Sequence, residues 1–163
     1  MLRSILIGLV AGARSMTPLA VVANAARTGT LPADNGAPRL LAHPLASLGA
    51  TALATYELIG DKQKSAPDRI IPPAVIIRSM NAAFAGMALS PRKDRFASAA
   101  IAGATAVLSS YATFAARMVA MRKGSQFTTG LAEDAIIVST AIAAARAPLP
   151  EVAAPTRELS EPR

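Results

Sequence analysis

The chain has no cysteine, no tryptophan and a single histidine, His43. Without thiols there can be no disulfide, thiolate metal site or cysteine nucleophile, and one imidazole cannot form a histidine cluster for zinc. No residue set calls for a metal or any other cofactor. Aromatic residues are 4% of the sequence, too few to interleave with a basic face for base stacking. The net charge of +7 and pI near 10.8 would raise the question of nucleic acid in a soluble domain. Here the basic residues are scattered among short connecting segments, which points away from nucleic acid and toward anionic lipid headgroups. Gly-x-Ser-x-Gly, His-Glu-x-x-His and phosphate-binding glycine loops are also missing. Carboxylates alone do not indicate hydrolysis, so an enzyme is the weakest of the functional classes. Charge itself is scarce, at 17% of residues against about 25% in soluble globular domains.

What fills the space is apolar: 52% of residues are hydrophobic and the mean hydropathy is +0.38. Much of this is alanine, so each candidate span is marginal alone, and an alanine-rich soluble helical bundle is the competing reading. The 163 residues suit one domain with room for four or five spans of about 20 residues. The expected fold is all-α, a polytopic membrane helical bundle of four to five apolar segments, some short or broken. Residues 1–147 form the membrane domain and residues 148–163, rich in proline and charge, a disordered tail.

The first apolar run, Leu2 to Ala26, is interrupted by Arg14-Ser15-Met16-Thr17-Pro18. A signal peptide fits it poorly, because Arg14 and Pro18 would fall between the apolar stretch and a cut near Ala25. Gly8 and Gly12 have the spacing that lets another helix approach closely. A turn-rich segment, Arg27 to Arg39, leads to the second run, Leu40 to Ile59, free of charge until Glu57. After a link containing Asp61 and Lys62 comes the third run, Ala74 to Leu89, short for a span and carrying Arg78 and Asn81; a tilted, broken or re-entrant path would suit it. Phe96 to Met121 is the longest clean run and holds Arg117; the last, Leu131 to Ala147, opens with Glu133-Asp134.

Arg-Ser-Met occurs at Arg14 and again at Arg78, each time in a short or proline-interrupted run, which suggests an internal repeat. Paired broken segments in repeat-built transporters mark the binding site, because unwound backbone can meet a solute. Arginine, serine and asparagine would supply donors suited to anions. Three arginines within the runs (Arg14, Arg78, Arg117) balance three carboxylates (Glu57, Glu133, Asp134), so Arg–carboxylate pairs are expected. Such pairs serve either to lock helices or to line a solute or proton pathway. The positive-inside tally over five alternating spans is nearly tied, which would permit dual insertion and antiparallel dimers.

Gly12-Ala13-Arg14 with Pro18, Glu57-Leu58-Ile59-Gly60-Asp61-Lys62 with Pro67 and Asp68, then Arg78 and Glu133-Asp134, resemble the ordered motifs of a bacterial membrane family, domain of unknown function 4126. The resemblance covers Gly8 to Ala147, with Gln63 and Ser79 where family members tend to carry proline. It implies a multi-pass helical protein of the bacterial inner membrane and no established activity. The expected function is a permeation or carrier site for a small ion or solute, built in a homo-oligomer from Arg14, Ser15, Glu57, Asp61, Lys62, Arg78, Asn81, Arg117, Glu133 and Asp134. The alternative is a non-transporting membrane scaffold whose ion pairs are structural and whose Gly8/Gly12 face binds a partner.

Overall fold

The structure, a computed structural model, describes residues 1–60, 70–120 and 126–146. Asp61, Lys62 and the tail 148–163 lie outside them. Among the described residues the chain is all-helical: α1 (Leu2–Ala13), α2 (Thr17–Arg27), α3 (Pro44–Gly60), α4 (Pro72–Ala88), α5 (Arg95–Ala120) and α6 (Gln126–Arg146), with short 3-10 turns at Arg39–Ala42 and Arg92–Asp94.

The first apolar run is two helices rather than one. Pro18 has no N–H, and its ring would clash with the carbonyl four residues earlier, at Arg14, if the helix continued. Arg14 accordingly turns extended (φ −138°, ψ 107°), and α2 starts afresh with Pro18 in its first turn. The chain then doubles back. Ile7 of α1 and Val22 of α2 share one apolar cluster with Ala85, Ala88 and Leu89 at the end of α4 and Ala144 and Ala145 at the end of α6. Arg3, at the start of α1, donates from Nη1 to the Leu89 carbonyl at 3.5 Å. Both feet of the α1–α2 hairpin therefore stand at one end of the bundle, and Arg14–Met16 form its tip. At 1.5 Å per residue the 12-residue α1 is about 18 Å long, less than half of the 26-residue α5 at about 39 Å.

α1 lies between α4, α5 and α6; α2 packs on α3, α4 and α6. Small residues make this possible. A Cβ on Gly12 would fall 1.8 Å from Ser109 Oγ and one on Gly8 would fall 2.5 Å from Thr105 Cβ, so α5 occupies the glycine face of α1. That face is thus consumed inside the chain and is not open to a partner. Ser109 Oγ donates to the Gly8 carbonyl at 3.0 Å across the same contact. α4, expected to be broken or tilted, is an unbroken 17-residue helix entered through Pro72-Pro73. The two Arg-Ser-Met copies therefore differ in backbone, one at a break and one within a helix. At the feet, the segment after α2 is clasped to the α4–α5 turn by Gly36 N–H donating to Ser90 O at 2.9 Å.

Burial is inverted relative to a water-soluble bundle. The core is mostly alanine, with Ser4, Ser98, Ser109, Ser110, Arg14 and Arg78 among the buried polar residues. Ile7, Val10, Val22 and Leu89 are buried, but many large apolar side chains point out, with Tyr56 75% and Leu108 73% exposed and Leu53, Ile76, Ile77, Phe84, Phe96 and Ile136 also on the surface. Among the described residues one helical stretch, Arg92–Val119, 28 residues in all, is long and apolar enough to cross a membrane by length and composition, with an 18-residue window of mean hydropathy 1.4. α3 and α4 stop at 17 residues, and α6 is weakened by alanine and the Glu133-Asp134 pair.

Candidate functional site

The hairpin tip collects the charges. In a continuous helix the Gly12 carbonyl would accept the N–H of Met16. At the break these two groups separate, and side chains from two other helices take one each. Arg78 of α4 donates from Nη1 to Gly12 O at 2.9 Å. Glu57 of α3 accepts Met16 N–H on Oε2 at 2.8 Å and Ser15 N–H on Oε1 at 2.7 Å. The two side chains are paired in turn, with Arg78 Nη2 3.8 Å from Glu57 Oε1. An ion pair is in effect inserted into the backbone ladder. Glu57 also lies at the positive end of α2, where a carboxylate is favoured by the unsatisfied N–H groups.

Asn81, one turn beyond Arg78 on α4, completes the cradle: its Nδ2 reaches Ser15 Oγ at 3.0 Å and Ser15 O at 3.3 Å. Thr113 of α5 adds a hydroxyl donor to Gly12 O at 3.3 Å. On the other flank Arg14, fully buried, donates from Nε to Asp134 Oδ1 of α6 at 2.7 Å, and its Nη2 reaches the same oxygen. Arg117 Nη1 of α5 lies 3.9 Å from Glu133 Oε2 of α6. Thr17 Oγ1, in the first turn of α2, is buried and has no hydrogen-bond partner among the described residues.

Eight of the ten residues singled out in the sequence thus meet at or beside one tip: Arg14, Ser15, Glu57, Arg78, Asn81, Arg117, Glu133 and Asp134. Asp61 and Lys62 lie outside the described residues. The pairing is between elements distant in the chain, with Arg14 and Asp134 120 residues apart. Sequence reading missed the backbone groups, Gly12 C=O and the N–H groups of Ser15 and Met16, and the hydroxyl of Thr113. The signal for the first was present in Pro18, four residues after Arg14.

Chemically, the tip offers buried guanidinium, amide and backbone N–H donors beside carboxylates, an arrangement that can hold a small anion or pass a proton between carboxylates. Groups of three or more acidic or histidine ligands fit for a metal are absent among the described residues. Comparison of the chain with protein-family models, curated proteins and solved structures gave no match.

Proposed function

We propose that this chain is a multi-pass inner-membrane protein in which α3 to α6 cross the bilayer, α1–α2 enters halfway as a re-entrant hairpin, and the hairpin tip forms a site for a small ion or solute. The inverted burial supports the membrane: helices that pack through alanine, glycine and serine and present leucine, isoleucine and phenylalanine outward suit lipid, where close backbone approach rather than apolar burial drives packing. The 17-residue length of α3 and α4, about 26 Å, suits a bilayer core of about 30 Å with modest local thinning. Non-helical backbone at that depth is tolerated where protein groups or a cavity satisfy it.

The observation that carries the solute reading is the convergence of three arginines and three carboxylates on one broken-helix tip. Buried charges within a membrane domain mark a pathway or a lock, and the unpartnered Thr17 hydroxyl beside the break leaves a polar group for a guest. Of the residues that carry the resemblance to domain of unknown function 4126, Arg14, Glu57, Arg78, Glu133 and Asp134 are gathered there, while Asp61 and Lys62 lie outside the described residues. In reconstituted liposomes, a panel of small anions, cations and protons should reveal a flux that Arg78→Ala abolishes while the helical circular dichroism persists. No flux above empty liposomes for the wild-type chain overturns the reading.

One observation favours a scaffold instead: the backbone groups at the break are already held, Ser15 N–H and Met16 N–H by Glu57, Gly12 O by Arg78 and Ser15 O by Asn81. The swap Arg117→Glu with Glu133→Arg separates the two. Under a pathway role it restores folding without restoring flux; under a structural role every measurable property returns together.

A further inference from the structure

α3 and α6 both pack on α2, and between them a cavity of about 700 Å³ opens to the surface at the hairpin's feet. Its lining is mixed: Val21, Ala25, Ile142 and Ala145 are apolar, while Asn24, three threonines and Arg146 supply an amide, hydroxyls and a guanidinium. Among the described residues no carboxylate lines it. Arg27 stands beside it, donating from Nη2 to Asn24 Oδ1 at 2.9 Å. The same end of the bundle carries Arg3, Arg39, Arg92, Lys93 and Arg95 against Asp34 and Asp94, since the hairpin returns the chain to the end it left. An occupant that suits this mixed lining carries both an apolar portion and an anionic group, and is large enough to use hundreds of cubic ångströms.

We infer that this groove binds one anionic phospholipid, with an acyl chain against Ala25, Ile142 and Ala145 and the headgroup phosphate at Arg146 and Asn24. The inference rests on the membrane reading above. Charge complementarity identifies the headgroup: one guanidinium backed by a second, at an end rich in arginine and free of carboxylate in the lining, favours phosphate over a zwitterion. The volume falls within the range of about 300–1,000 Å³ typical of small-molecule sites. A free phosphate would use the polar rim and leave the apolar part empty.

The test titrates the full chain, purified in mild detergent, with phosphatidylglycerol, phosphatidylcholine and inorganic phosphate under native mass spectrometry. One tightly held phosphatidylglycerol is expected, preferred over phosphatidylcholine by about fivefold, the effect of roughly one basic side chain at a headgroup. Arg146→Gln, at an exposed position where folding is not at stake, should erase the preference. Equal retention of both lipids, a preference unchanged in Arg146→Gln, or displacement by millimolar inorganic phosphate each overturns the inference. Alkaline carbonate washing of native membranes keeps the two failures apart: release of the chain defeats the membrane reading, whereas retention without a lipid preference defeats only the groove.

Discussion

Arg14 and Asp134 meet with the guanidinium fully buried, two of its nitrogens directed at the same carboxylate oxygen. Removing one partner leaves a buried charge, so Arg14→Ala should destabilise by about 3–5 kcal/mol. Replacing both, as in Arg14→Met with Asp134→Leu, should recover most of that loss because a packed apolar pair carries no desolvation cost. Thermal unfolding in detergent measures both; a double variant no better than the single would mean that the pair does more than neutralise.

Glu57 holds two backbone N–H groups, so Glu57→Ala should cost more than a typical surface change, about 1–3 kcal/mol for each group left unsatisfied. Glu57→Gln keeps one acceptor and should fall between. Amide exchange at Ser15 and Met16 should accelerate in the order wild type, Glu57→Gln, Glu57→Ala; equal rates in all three would remove Glu57 from its place at the tip.

Gly12→Ala and Gly49→Ala are the same chemical change in opposite surroundings. A Cβ at Gly12 meets Ser109 at 1.8 Å, whereas at Gly49 nothing lies within 4 Å. The first should destabilise by about 1–3 kcal/mol through overpacking. The second, in mid-helix, should stabilise by about 0.5–1 kcal/mol. Similar melting temperatures for the two variants would contradict the close α1–α5 contact.

The hairpin sets the topology, and the absence of native cysteine makes it simple to read. Single thiols at Leu2→Cys, Asp34→Cys and Lys93→Cys should all react from one side of sealed vesicles, and Ile71→Cys, at the exposed entry to α4, from the other. On the proposed membrane reading, the positive-inside rule makes the shared side cytoplasmic, because folding the chain back moves Arg3 to join Arg27, Arg39, Arg92, Lys93, Arg95 and Arg146. Labelling of positions 2 and 34 from opposite sides would mean that the first run crosses.

The sequence displayed the helical class, the charge balance and the break. Pro18 and Arg14 advertise the break through a local steric rule, and helix content follows from apolar runs bounded by proline and glycine. The direction of the chain after the break was not legible. A broken helix that continues across and one that turns back differ in no local propensity, only in whether α2 finds Ala50 and Ala54 of α3 antiparallel beside it. Counting the first run as a crossing separates Arg3 from Arg27 and Arg39, whereas the folded-back chain brings Arg3 to their end of the bundle. Arg-Ser-Met likewise showed as a repeat in letters, but the preference of Arg78 for an unbroken helix depends on what surrounds it and not on the three residues. Pairing by sign was visible; which arginine meets which acid was a matter of tertiary level.

The hairpin has a further consequence for the order of assembly. Its tip is made first, yet Glu57, Arg78, Arg117 and Asp134 are made later, and Asp134 follows Arg14 by 120 residues. At about 5–20 residues per second, Arg14 waits about 6–24 s for its carboxylate. On the proposed membrane reading a guanidinium is too costly to leave alone in hydrocarbon for that time, so the hairpin should enter after the helices that follow it, drawn in from the interface as α6 arrives.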